Sequence, residues 1–210
     1  MSSSSDRSAD SSAIGQAAQA LTPTDAQADV ELMAAVAAND RTAQRVVVER
    51  LARRVRKVTG LLCRTAADAD DAAQLALIEI LKSADTFRVA TSLERWAERI
   101  TIRTTLRAAR RERSRKGLLE RWLPAGVLPW GGPPTQSSVE QISLDALLQR
   151  LSRERFQAFA LHHALDYTVE EIAELTSSPV GTVKDRLVSA RKQLRKMLRF
   201  ELRATGGKLR

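Results

Sequence analysis

The chain has 210 residues, 43% of them hydrophobic, and a formal net charge of +9. That length suffices for one large core or two small ones, and the excess of base points to an anionic partner. No run of about eighteen apolar residues occurs, so membrane insertion is not expected, and the start MSSSSDRSAD lacks an apolar signal core. A single cysteine, Cys63, excludes an internal disulfide and fits a cytoplasmic location.

Residues 1–28 are rich in Ser, Ala, Gln and Asp with little apolar periodicity, which predicts a disordered tail. Helical pattern begins near Asp29. Val30, Met33 and Val36 form one stripe, and Val47, Leu51, Val55, Val58 and Leu62 a second. Leu75, Ile78 and Leu81 form a third, and Leu93, Trp96, Ile100 and Leu106 a fourth. Gly and Pro are almost absent from 29–116, so this stretch reads as one compact helical unit. Cys63 falls in an apolar helical stretch and is expected to be a core thiol. The acids Asp68, Asp70 and Asp71 open a helix, where they complement its dipole; metal ligation is the weaker reading.

Residues 117–143 hold four prolines, four glycines and two tryptophans, Trp122 and Trp130, and read as a linker with anchoring capacity. Helical pattern resumes at Leu144 and defines a second unit over 144–200, followed by a basic tail, 201–210. The fold class expected is therefore all-α: two small helical domains joined by a flexible linker. Charge is not spread evenly. Residues 103–116 carry +6 and residues 184–210 carry +8, leaving −5 elsewhere. Two basic blocks suit a protein that touches a long polyanion in two places.

Within the second unit, Thr168-Val-Glu-Glu171 has capping-box spacing and opens a short helix with Ile172, Ala173 and Leu175 on its buried side. Ser178 is a suitable N-cap for the next helix, with Pro179 at its first position. That helix is apolar at Val180, Val183, Leu187, Ala190, Leu194 and Met197. Its other face carries Thr182, Lys184, Asp185, Arg186, Ser189 and Arg191. A short helix, a tight turn and a longer helix with a polar N-terminal half is the arrangement that enters a major groove. His162 and His163 are adjacent, are expected on different sides of a helix and make poor zinc ligands. No phosphate-loop or catalytic-triad motif is present, so no enzymatic activity, cofactor, metal or small-molecule substrate is expected.

The wording EEIAELTSSPVGTVKDRLVSARKQL resembles region 4 of bacterial RNA polymerase sigma factors of the extracytoplasmic-function (ECF) group of the sigma-70 family. LSRERFQAFALHHALDYT is similar to the two helices before it, with Ser152 where proline is usual. Asp29–Arg64 resembles the family's opening helices, with Asn39-Asp40 in place of a Gly-Asp turn. DADDAAQLALIEIL resembles the acidic-start helix of region 2, with Leu75 where Glu is usual. ADTFRVATSLERWAERI resembles the loop and helix that capture the minus-ten element; Arg103 and Arg107 replace the usual Asn and Asp.

The resemblance implies a sigma factor that binds core RNA polymerase, recognises promoter DNA and opens the minus-ten element. It implies minus-thirty-five contacts from Thr182, Lys184, Asp185, Arg186, Ser189 and Arg191. Minus-ten contacts would come from Phe87, Arg88, Trp96, Arg99, Arg103, Arg107, Arg110 and Arg111, with Trp96 equally readable as a core anchor. Polymerase contacts would come from Asp68, Asp71, Gln74 and Ile78. An anti-sigma factor is a further partner by the family's habit. The alternative is a stand-alone helix-turn-helix regulator.

Overall fold

The computed structural model describes residues 23–122 and 144–205, and all regular structure among them is helical. The helices are α1 (Pro23–Ala37), α2 (Arg41–Leu62), α3 (Ala66–Lys82), α4 (Leu93–Trp122), α5 (Leu144–Gln149), α6 (Arg153–His163), α7 (Val169–Thr176) and α8 (Val180–Thr205). A 3-10 turn, Ala84–Thr86, lies between α3 and α4. Trp130 and most of the stretch expected as a linker lie outside the described residues, as do most of the N-terminal tail and residues 206–210.

Most helix ends follow from local chemistry. Asn39 takes a left-handed backbone (φ 64°), the conformation glycine would supply at a Gly-Asp turn and one that Asn tolerates. The Asp40 carboxylate then accepts from the amides of Thr42 (2.7 Å) and Ala43 (3.3 Å), capping α2. Thr65 caps α3 and Ser152 caps α6 through the Arg155 amide, so Ser152 starts its helix by a hydrogen bond where proline would do so by its fixed φ.

Three expected boundaries shift. Helix α1 starts at Pro23, before Asp29, because proline is tolerated in a first turn and the following Ala and Gln are good helix formers. Helix α4 passes Lys116 and Gly117 and ends at Trp122. One mid-helix glycine costs only about 1 kcal/mol, which Leu, Glu and Arg neighbours can offset. Helix α8 continues to Thr205, into the expected tail.

Helices α1–α4 enclose a core of Met33, Val47, Leu51, Val55, Ile80 and Leu93, all fully or almost fully buried. Burying side chains of this size contributes about 1.5–3 kcal/mol each. Buried Thr101 and Thr105 on α4 satisfy their hydroxyls on the carbonyls of Ala97 and Thr101, both at 2.8 Å. A smaller cluster of Leu151, Phe156 and Ala190 ties α6 to α8.

A third cluster joins the two units. Val58 and Leu62 of α2 and Ile102 and Leu106 of α4 pack with Leu161, Leu165, Tyr167, Ile172, Val183 and Leu187. The C-terminal helices thus share a core with the N-terminal bundle. Polar contacts cross the same junction. Arg153 donates to the Ala109 carbonyl (3.1 Å), Arg113 pairs with Glu154 (2.6 Å), and Arg64 donates to the Leu151 carbonyl.

Candidate nucleic-acid interface

Helices α7 and α8 form the helix-turn-helix. The capping box is fully made: the Thr168 hydroxyl accepts from the Glu171 amide (3.2 Å), and the Glu171 carboxylate accepts from the Thr168 amide (3.0 Å). Helix α7 closes at Ser177, left-handed at φ 50°, so the chain reverses within three residues. The cap of α8 differs from expectation. The Pro179 carbonyl accepts the first helical bond, from Val183, which makes Pro179 itself the cap residue. The Ser178 hydroxyl is turned instead to Arg186, accepting from its guanidinium at 2.9 Å. Arg186 is thereby positioned beside the turn.

Of the apolar stripe of α8, Val183, Leu187 and Ala190 are buried and Leu194 and Met197 partly so, whereas Val180 at the start of the helix is exposed. Lys184, Asp185 and Arg191 are exposed on the other side, and Thr182, Arg186 and Ser189 are half-buried beside them. These six residues lie within the N-terminal half of a 26-residue helix. Arg191 reaches His163 (3.3 Å). The two histidines do not diverge: their rings lie edge to face, 4.7 Å apart, because His162 folds back to the Tyr167 carbonyl (3.0 Å). Burial, then His162 and Arg191, hold the His163 imidazole below its ordinary range. Among the described residues no three His, Cys, Asp or Glu side chains gather to hold a metal.

The second basic surface runs along α4. Trp96, Arg99, Arg103 and Arg107 line a recess of about 240 Å³ together with Glu79 and Thr86. Trp96 is half-buried, which leaves part of its ring toward that recess. Phe87 is different: at 6% exposure it belongs to the bundle core, edge-on to Trp96 with ring centres 5.4 Å apart. It supports Trp96 from behind. Arg88 folds onto the carbonyls of Asp85 (2.6 Å) and Phe87 (2.7 Å), closing the 3-10 turn. Arg110 donates to the Thr176 carbonyl, and Arg107 and Arg111 are exposed.

Sequence reasoning missed what faces this surface. Arg99 pairs with Glu174 (2.7 Å) and Glu171 (3.7 Å), Arg103 with Glu174 (2.7 Å), and Arg95 with Glu171 (3.1 Å). Beneath them Glu98, 1% exposed, accepts from Arg54 (2.7 Å), Arg95 (3.1 Å) and the Tyr167 hydroxyl (2.9 Å). Arg95 also lies over the Tyr167 ring, 3.8 Å from its centre. Hydrogen bonds from Arg99, then its charge and that of Arg103, hold the Glu174 carboxyl below the usual carboxylate range. Burial alone would raise Glu171, but the Thr168 amide and the charges of Arg95 and Arg99 leave it below that range.

The third candidate surface is the outer side of α3. Asp68, Asp71, Gln74 and Ile78 are all exposed at three- and four-residue spacing and share one face. Leu75 and Ile78 are each 49% exposed, so the face mixes acid with uncovered apolar area. Cys63 sits at the foot of α3, with its sulfur 3.6 Å from the Asp68 carbonyl. Burial, then the Asp68 charge, push its thiol up to about 11. At pH 8 its thiolate fraction is then about a hundredfold below that of a free cysteine. Alkylation by iodoacetamide should be slower in the folded chain than in urea by about that factor. Equal rates would contradict this burial.

Region 2 of the sigma-70 family matches residues 47–115, and region 4 of the same family matches residues 141–194. The ECF RNA polymerase sigma factor SigM of Mycobacterium tuberculosis is 29% identical over 177 residues, covering 83% of this chain and 86% of the relative. Among solved structures, the sigma factor RpoE of Bartonella quintana, in complex with the anti-sigma factor NepR, has a TM-score of 0.53 at 22% identity. That match covers 72% of this chain and 94% of the neighbour. CnrH, in complex with the cytosolic domain of CnrY, has a TM-score of 0.50 at 19% identity over 81% of this chain and 97% of that one. The fold is shared with both solved structures. Among the described residues no helix is long and apolar enough to cross a membrane. With both regions matched in order over more than half its length, the chain belongs to the sigma-70 family, as an ECF sigma factor, a family that acts in transcription initiation.

Proposed function

We propose that this chain binds core RNA polymerase through the outer face of α3, reads the minus-thirty-five element with α8, and holds and opens the minus-ten element along α4. Units spanning 29–116 and 144–200 would carry these tasks, in the cytoplasm, where the polymerase works. The observation that carries the reading is the pairing of two basic surfaces on one chain. The exposed N-terminal half of α8 suits a major groove, and the Trp96–Arg107 recess of α4 suits an unstacked base flanked by phosphates. Lys184 and Arg186 are placed to donate to guanine edges or phosphates, Thr182 and Ser189 to either, and Asp185 to accept from a cytosine amino group. An anti-sigma protein is proposed as a further partner, since the solved neighbour RpoE is held in a complex with one.

Run-off transcription with core polymerase over a promoter library tests the reading. Activation of a discrete set of promoters is expected; activation of none overturns it. On such a promoter, Arg186→Ala should weaken polymerase recruitment by about 1–3 kcal/mol through the upstream element alone. Arg107→Ala should leave recruitment nearly intact and slow strand opening, seen by permanganate footprinting. The opposite pattern would show the two surfaces to be exchanged. Tight binding of the isolated chain to promoter duplex would favour a stand-alone regulator.

A further inference from the structure

A cavity of about 560 Å³ opens where the end of α2 and the start of α3 meet α5 and α6. Its volume falls in the range of small-molecule sites, about 300–1,000 Å³. The lining is mostly apolar. Phe156 and Ala160 are buried in the wall, while Leu61, Leu148 and Phe159 are half-buried and leave apolar surface uncovered.

Arg64 brings a positive charge to this wall. Its guanidinium lies 5.9 Å from the centre of the Phe156 ring and donates to the Leu151 carbonyl. Its Nε is buried and meets no acceptor among the described residues. Native chains keep few such donors, because a buried N–H without an acceptor is costly. Glu154 acts on Arg64 through charge alone and is itself paired with Arg113 (2.6 Å). Burial, then the charge of Arg153, hold the Arg64 guanidinium below its ordinary range, so an added anion would be welcome there.

Gly60 is a second sign. It lies within α2, where alanine would be the better helix former. A Cβ built there would meet nothing within 4 Å, so packing does not require glycine. Gly60 lines the cavity, and its missing side chain leaves that space open.

We propose that this cavity binds a medium-chain organic acid, with its carboxylate on Arg64 and its apolar body along Leu61, Leu148 and Phe159. A carboxylate supplies the acceptor that the Arg64 Nε lacks, in a charge-assisted hydrogen bond. A hydrocarbon body covers the apolar lining that the fold leaves open. The acid would touch α2 and α6 together, and so would stabilise the folded chain over the unfolded one. Among the described residues the lining comes from neither α4 nor α8, so the inference stands apart from the DNA surfaces proposed above.

The test titrates the full chain with decanoate by isothermal calorimetry. Decanol supplies the same body without the charge, and acetate the head without the body. Decanoate should bind one-to-one, at least about tenfold more tightly than either. Gly60→Leu places a side chain in the open space without displacing packed atoms. It should keep the melting temperature and weaken decanoate at least about tenfold. Arg64→Gln should bring decanoate down to the affinity of decanol. Arg53→Gln removes the same charge from an exposed position of α2 and should change nothing. Bound decanoate should also slow alkylation of Cys63, which lines the cavity. The absence of saturable decanoate binding overturns the proposal. So does equal affinity of the wild type and Gly60→Leu, which would place the acid elsewhere on the basic surface. Equal affinity for decanoate and decanol overturns it as well, since Arg64 would then read no charge.

Discussion

Glu98→Ala is expected to lower the stability of the chain by about 2–4 kcal/mol. The carboxylate is buried at the junction of the two sets of helices, between Arg54, Arg95 and the Tyr167 hydroxyl. Removing one partner of a buried ion pair costs about 3–5 kcal/mol when the other is left stranded. Here Arg54 and Arg95 are 46% and 32% exposed and can rehydrate, so their share is smaller. The Tyr167 hydroxyl cannot rehydrate: the residue is 1% exposed, and losing its acceptor costs about 1–3 kcal/mol. Urea unfolding should show a lower midpoint, and an unchanged midpoint would remove Glu98 from the junction's energetics. The same bond predicts an alkaline limit. Burial, then the charge of Glu98, push the Tyr167 phenol well above its ordinary value. A folded group that holds its proton more tightly than the unfolded one contributes stability that is full below about pH 10 and lost as pH rises from there. Tyr167→Phe should flatten that alkaline loss.

Ile78→Glu is expected to weaken core polymerase binding at least about tenfold while leaving the melting temperature nearly unchanged. Its side chain stands 49% exposed on the outer face of α3, so the fold does not need it. An apolar contact at the centre of an interface typically carries more than 1 kcal/mol, and a carboxylate there adds a desolvation cost. Leu75→Glu is the informative contrast. Leu75 is equally exposed one helical turn away, yet the resemblance to region 2 implies that Glu is usual at that place, so polymerase should tolerate that change. Binding measured by competition with a labelled wild-type chain separates the two. Equal losses, or none, would remove the outer face of α3 from polymerase binding.

Features encoded by neighbours in sequence were legible before the structure. The capping box at Thr168 and the stripe Val183–Leu187–Ala190 depend on residues within one or two turns of each other. The shared face of Asp68, Asp71, Gln74 and Ile78 is equally local. Features joining distant residues were not. Glu171 read only as the acid of the capping box and Glu174 carried no reading, because nothing nearby announces arginines more than seventy residues earlier. Glu98 lies in a charged run, and its burial follows only from Tyr167, 69 positions away. Phe87 read as a minus-ten contact because its motif resembles a DNA-capturing loop, and nothing local announces that it packs in the bundle core. The helix ends at Pro23 and Trp122 escaped notice because apolar periodicity fades before helix propensity does.

Glu171 serves two masters within one side chain. One carboxylate oxygen closes the capping box that starts α7, and the other receives Arg95 and Arg99 across the junction. Evolution therefore cannot tune one role there without disturbing the other, except through Gln, which keeps the cap and drops the charge. Glu174 bears no such double duty and is free to drift in charge. Among descendants of this chain, position 171 should vary only between Glu and Gln. Position 174 should record, lineage by lineage, how firmly each one keeps its two halves together.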